Sequence, residues 1–177
     1  MIEWIGPAVV ATAVSAAVTV IGWYVSHQRE GSAELRRRQE RVSDVQTALR
    51  AEIRSYRARA AAVDLDAHGA EMERRIRAGD FTPFVPKEPE FFIYASIAKE
   101  IHILPGSVID PIVLFYTQGS TVALFAEDLR TERFQALEAG RKVDMYLDYL
   151  AMTGHGYRLA DQALQALDAS LGAGHDQ

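Results

Sequence analysis

The chain has 177 residues, 49% of them hydrophobic, and its 24 acidic and 19 basic side chains leave a net charge of −5. That length allows one domain with a sizeable core beyond any anchor. There is no cysteine, which excludes a disulfide framework, thiolate metal sites and cysteine nucleophiles.

From Trp4 to Val25 no side chain is charged. About 20 apolar residues let an α-helix cross the ~30 Å hydrocarbon core of a bilayer. Trp4 and Trp23 stand nineteen residues apart, roughly 28 Å at ~1.5 Å per residue. With Tyr24 they place amphipathic rings at the two membrane–water boundaries. The opening Met-Ile-Glu3 and the length of the run argue against a cleaved signal peptide. Residues 1–28 therefore read as a single transmembrane anchor.

Only Glu3 precedes the anchor, whereas Arg29, Arg36, Arg37, Arg38 and Arg41 follow it. The positive-inside bias predicts an N-terminus outside and a C-terminal domain in the cytoplasm, at the inner membrane. The same arginines are candidates for contact with anionic lipid headgroups, each contributing about 1 kcal/mol. They lack interleaved aromatics, and from Ala60 onward eighteen acids face ten basic residues. Nucleic acid is thus not an expected partner. Ala8, Thr12, Ala16 and Thr19 fall close to one helix face, so the anchor offers a route to a homo-oligomer.

Residues 29–79 read as one long Arg-rich juxtamembrane helix, opening at Gly31-Ser32 with Glu34 in its first turn. Val42, Val45, Leu49, Ile53, Tyr56, Ala60 and Val63 form its apolar stripe, continued by Met72 and Ile76. Arg74, Arg75 and Arg77 in the last turn, then Gly79 and Pro83, mark its end. Residues 80–89 read as a Pro-rich linker. Pro83, Pro86 and Pro89 recur every third residue, which suits polyproline II. The favoured reading is an extended link with Phe81, Phe84 and Val85 folded onto the core.

Residues 90–172 read as the core of a helical bundle, with 173–177 a frayed tail. A helix from Glu90 to Leu104 ends at Pro105-Gly106, and Ser107 is the expected cap of the next. That helix, Pro111 to Ala126, is the second most apolar stretch. It reads as a buried core helix rather than a second crossing. It offers Ile109, Ile112, Val113 and Tyr116 on one side and Phe115, Val122 and Leu129 on another. From Thr131 an amphipathic pattern places Phe134, Leu137, Val143, Leu147 and Leu150 inward, flanked by Tyr146 and Tyr149. Tyr157, Ala160, Leu164, Leu167 and Leu171 carry it onward, and Gly154 and Gly156 either interrupt that helix or permit close packing.

Tyr94, Leu104-Pro105, Val108-Ile109, Ile112-Val113 and Phe115-Tyr116, following an anchor and an Arg-rich helix, resemble uncharacterised bacterial single-pass membrane-anchored all-α proteins. These share a Leu-Pro turn followed by Val-x-x-x-[Ile/Val]-Val-x-Phe-Tyr. The resemblance implies an all-α fold and no activity.

Chemistry is sparse. Asp64 and His68 stand four apart, a spacing open to metal ligation, with Asp66 beside them. No second ligand pair accompanies them, so a solvated helix surface is expected. Glu100 and His102 miss the Glu-x-x-His spacing of di-iron bundles, and His155 lacks a chemical partner nearby. No nucleophile elbow or phosphate loop occurs. No catalytic, cofactor or metal residue is assigned, and no cofactor is expected.

The expected fold is all-α: one transmembrane helix, then a soluble helical bundle of three to five helices. The expected function is a non-enzymatic membrane-anchored interaction or scaffold protein, with an unidentified membrane or cytoplasmic protein as partner. The alternatives are an envelope-facing helical protein of inverted topology, such as a phage or cell-envelope factor, and a metal-binding bundle.

Overall fold

The structure, a computed structural model, describes residues 34–59, 63–79, 81–87 and 90–173. The anchor with Trp4, Trp23 and Tyr24, the helix opening at Gly31-Ser32, Arg29 and Pro89 lie outside the described residues. The chain divides into two compact units, Met1–Ser43 and Asp44–Gln177. Of the first, residues 34–43 are helical and mostly exposed.

Every regular element among the described residues is helical. In order they are α1 (residues 34–59), α2 (Leu65–Arg77), α3 (Phe92–Ile97), a 3-10 helix (Ala98–Ile103), α4 (Gly106–Asp128), α5 (Glu132–Gln135) and α6 (Ala139–Ala173). The all-α expectation holds, but the six α-helices among the described residues exceed the expected three to five because two predicted helices are each divided in two.

The largest correction concerns residues 29–79. Val63 and Asp64 are not helical, and the Asp64 side chain caps α2 by accepting from the Asp66 and Ala67 N–H groups. The reason lies in helical phase. Val63 and Met72 are nine residues apart, about 180° around a helix of 3.6 residues per turn. A continuous helix carrying the α1 stripe of Val45, Leu49, Ile53 and Tyr56 would turn Met72 and Ile76 outward. Breaking before Leu65 resets the phase, so that Gly69, Met72 and Ile76 are buried. The end of α2 forms as expected: Gly79 follows the C-cap Ala78 with a positive φ of 88°. A left-handed conformation there costs glycine no Cβ clash.

The 35-residue α6 is the spine of the second unit. Along it Val143, Tyr146, Leu150, Thr153, Gly156, Ala160, Ala163 and Leu167 are buried at three- and four-residue steps. Gly154 and Gly156 therefore do not interrupt the helix; Gly156 permits close packing, with the Tyr56 hydroxyl 3.3 Å from where a Cβ would sit. The buried seam is rotated toward Tyr146 and Tyr149, leaving Leu147 outward. α4 packs on α6, and along it Val108, Ile112, Phe115, Gly119, Val122 and Ala126 are buried at the alternating four–three spacing of a coiled-coil seam. The two run antiparallel: Ala126 and Leu129 share a cluster with Val143 and Tyr146, while Gln118 Nε2 donates to the Met152 carbonyl at 2.9 Å.

Within the second unit, residues 44–59 of α1 and the helix α2 pack along the same spine, both antiparallel to it. Gln46 donates to Ser170 at 3.0 Å, and Arg50 and Arg54 reach Asp168 at 3.0 and 3.3 Å. Arg57 meets Asp161 at 2.8 Å. Further back along α6, Gly69 abuts Leu147 and Leu150, and Leu65 faces Gly154. These ion pairs are solvent-exposed and each contributes at most about 1 kcal/mol, so the apolar seam supplies most of the stability.

Three smaller expectations are corrected. The 90–104 helix becomes α3 plus a 3-10 helix. The helix expected from Thr131 becomes α5 plus α6, with the Thr131 hydroxyl capping α5. Pro105, not Ser107, is the N-cap of α4: its carbonyl accepts from Val108 and Ile109. In the linker, burial alternates rather than recurring every third residue. Pro83 and Val85 are buried while Thr82, Phe84 and Pro86 are exposed. That period of two is an extended strand-like path, and it sends Phe84 outward, 85% exposed, instead of into the core.

Candidate functional site

Arg36, Arg37, Arg38 and Arg41 all occupy exposed positions on the helical segment 34–43. Three other arginines of α1, at 50, 54 and 57, meet α6 aspartates. Asp64 and His68 do not form a ligand pair: Asp64 is the cap of α2, and His68 Nε2 lies 3.0 Å from the Tyr146 hydroxyl. Among the described residues no group of three His, Asp or Glu side chains is placed to hold a metal ion.

The most concentrated polar arrangement was not singled out in the sequence. Glu52, on α1, extends its carboxylate to the start of α3. Oε1 accepts from the Ile93 N–H at 2.8 Å; Oε2 accepts from the Tyr94 N–H at 3.0 Å and the Tyr116 hydroxyl at 2.8 Å. α3 has no side-chain cap of its own, so a residue forty positions upstream satisfies its first amide donors. Around this carboxylate lies an aromatic cluster. Tyr94 stacks on Tyr116 with centroids 3.9 Å apart, and Phe91 meets Tyr116, Phe115 and Tyr56 at 4.9, 5.5 and 5.8 Å. With three donors on its two oxygens, Glu52 ties α1, α3 and α4 together as a structural clamp.

Burial, then the Glu52 hydrogen bond, pushes the Tyr116 phenol far above its ordinary value near 10. Folding therefore resists a deprotonation that the unfolded chain undergoes freely. The contribution is complete below pH ~10, and stability falls above it by about 1.4 kcal/mol per pH unit for each such phenol. Burial shifts Tyr146 in the same direction. Chemical denaturation between pH 9 and 11 will show this fall, and Tyr116→Phe will make it shallower. An unchanged slope in that variant would contradict the assignment.

Two surface features can receive other molecules. The first is the outward side of α4. This helix is long and apolar enough to cross a membrane by length and composition, yet only a third of its most apolar window is buried. Its core stripe is narrow. Val113, Leu114, Thr117, Thr121 and Leu124 face outward, with Leu114 55% and Leu124 66% exposed. Val113 thus lies outside the inner face expected for it. Phe92, 71% exposed, joins Leu124 at the rim of a shallow cleft of about 560 Å³ between α3 and α4.

The second is a cleft of about 520 Å³ where the end of α1, α2, the 81–87 segment and the middle of α6 converge. Tyr56, Tyr146, Tyr149 and Tyr157 line it, with His68, Thr153, Arg59 and Lys87. Tyr56 and Tyr157 meet edge-on at 5.7 Å, and Tyr146 and Tyr149 are tilted at 5.9 Å. Periodicity marked these tyrosines only as helix-face residues. The break at Asp64 sets α2 against α6 and brings His68 to this wall.

Comparison with protein families, curated proteins and solved structures gives no match to this chain.

Proposed function

We propose that this chain is a non-enzymatic, single-pass membrane-anchored interaction or scaffold protein, an accessory subunit of a larger bacterial inner-membrane assembly. Trp4–Val25 is its anchor, Arg29, Arg36, Arg37, Arg38 and Arg41 face the anionic leaflet, and the helical unit lies in the cytoplasm. The observation that carries this reading is the outward stripe of α4. A packed domain that leaves Leu114, Leu124 and Phe92 largely exposed retains the apolar surface that marks a protein-interaction site. The short Leu-Pro and Phe-Tyr motif, which resembles that of membrane-anchored all-α proteins, spans the turn into the same helix and its first half.

The test compares tagged full-length chain with a Leu114→Glu, Leu124→Glu variant, each isolated from carbonate-washed membranes in mild detergent. Both substitutions are on the exposed face, so helicity by circular dichroism is expected to be unchanged. A specific protein will co-purify with the wild type and be depleted roughly tenfold in the variant, equivalent to about 1.4 kcal/mol. Release of the chain by the carbonate wash would refute the anchor. A set of co-purifying proteins unaffected by the variant would refute the surface.

A further inference from the structure

We propose that the tyrosine-lined cleft binds a small anion built on a planar aromatic ring, of the size of a nucleoside monophosphate. This goes beyond the scaffold reading and does not rest on it. The cleft's volume of about 520 Å³ falls within the ~300–1,000 Å³ typical of small-molecule sites. Tyr56, Tyr146 and Tyr149, each less than a tenth exposed, and the part-exposed Tyr157 give the cleft a rigid aromatic lining with polar tips, which suits a ring carrying heteroatoms. His68 Nε2 and the Tyr146 hydroxyl, 3.0 Å apart, add a hydrogen-bonding wall.

Charge selects the ligand further. Arg59 and Lys87 line the cleft, and no carboxylate does. From Ala60 onward the chain carries eighteen acids against ten basic residues, so an acid-free concavity with two cations stands apart from the prevailing sign. Such a cleft concentrates anions. Arg59 lies over the Tyr56 ring at 6.0 Å, which joins its charge to the aromatic wall. Lys87 reaches Glu90 at 3.5 Å across an exposed pair; pairs of that kind are weak and readily exchanged for another anion. A ring among the tyrosines with its charge met by Arg59 and Lys87 uses both halves of the site. Nucleoside monophosphates and simple aromatic carboxylates share this chemistry.

Equilibrium dialysis of the full chain in nonionic detergent distinguishes them, using adenosine 5′-monophosphate, 4-hydroxybenzoate, adenosine and inorganic phosphate as probes. At least one ring-bearing anion will saturate at one per chain, roughly tenfold tighter than adenosine or phosphate. The tighter of the two anions identifies the source. Arg59→Gln combined with Lys87→Gln will weaken that binding by about tenfold, while salt will do so progressively. Both positions are on the surface, so the variant's thermal melt is expected to match wild type. Absence of binding by both anions would overturn the proposal. So would adenosine or phosphate binding as tightly, or the double variant binding unchanged.

Discussion

Glu52→Ala will lower the unfolding free energy by about 3 kcal/mol. Two amide N–H groups and one phenol lose their acceptor, at a cost of ~1–3 kcal/mol for each donor left dry and less where water enters. Glu52 and the N-terminus of α3 are half-buried, so the sum is discounted toward the lower end. At roughly 2–4 °C per kcal/mol for a domain of this size, Tm will fall by about 6–12 °C. The loss will also be local. Amide exchange at Ile93 and Tyr94 will accelerate more than exchange along α6, because the clamp holds α3 and not the spine. Glu52→Gln will cost less, about 1 kcal/mol: one oxygen remains to accept, while the new amide N–H₂ confronts a donor. A double-mutant cycle with Tyr116→Phe will show a coupling on the order of 1 kcal/mol. Additive single substitutions would show that the 2.8 Å contact between Tyr116 and Glu52 carries no coupled stability.

Gly119→Val will cost about 3 kcal/mol, although both residues are poor helix formers and propensity alone slightly favours the change. A Cβ at position 119 would lie 2.6 and 2.8 Å from Phe91 Cε2 and Cζ. That ring cannot swing aside freely, since Tyr56, Phe115 and Tyr116 enclose it at 4.9–5.8 Å. Overpacking of this kind typically costs ~1–3 kcal/mol, and the branched side chain puts valine at the upper end. Gly119→Ala will cost about 1 kcal/mol, its clash being offset by the helix gain. Gly154→Ala is the control. Its Cβ would meet Leu65 Cδ1 at 3.4 Å, an ordinary contact, so the propensity gain of ~1 kcal/mol will raise Tm by a few degrees. Thermal melts of these variants decide the matter. If Gly119→Ala and Gly154→Ala shift Tm alike, close packing at Phe91 is not what retains glycine at 119.

The two glycines illustrate where sequence reasoning stops. Both sit inside helices between polar neighbours, Gln118 and Ser120 in one case and Thr153 and His155 in the other, and local pattern treats them as equivalent. Only the position of Phe91, delivered by a segment that leaves α2 and returns across α4, separates them. Glu52 is a similar case. One residue from Ile53 on the apolar stripe, it looks like a flanking surface acid. Its acceptors matter because α3 arrives without a cap, and no local spacing connects residues 52 and 93. Of the cleft tyrosines, Tyr146, Tyr149 and Tyr157 share α6, and long-range packing brings Tyr56 of α1 to them.

The break at Asp64 was more accessible. The nine-residue step from Val63 to Met72 violates helical phase, and Asp64 is a good N-cap five residues before Gly69, where burial restarts. The high helix content of the surrounding residues masked the conflict. Phe84 differs for another reason: an extended link with both Phe84 and Val85 turned inward puts adjacent residues on one side, whereas the buried Pro83 and Val85 impose a period of two that turns Phe84 out.

What the sequence by itself determined is the helical character of this protein. Three- and four-residue apolar steps fix α1, α4 and α6, the Arg-rich last turn with Gly79 fixes the end of α2, and the absence of alternation leaves no strand among the described residues. These features are local, set by neighbours within a turn or two, so a linear pattern contains them. The tertiary structure decided which side of each stripe turns inward, how α1 and α2 share α6, and which polar groups meet. Those outcomes depend on contacts between residues 34 to 124 positions apart, such as Gln118 with Met152 and Gln46 with Ser170. Burial and donor–acceptor matching across elements determine them, and neither has a period that a single helix can display.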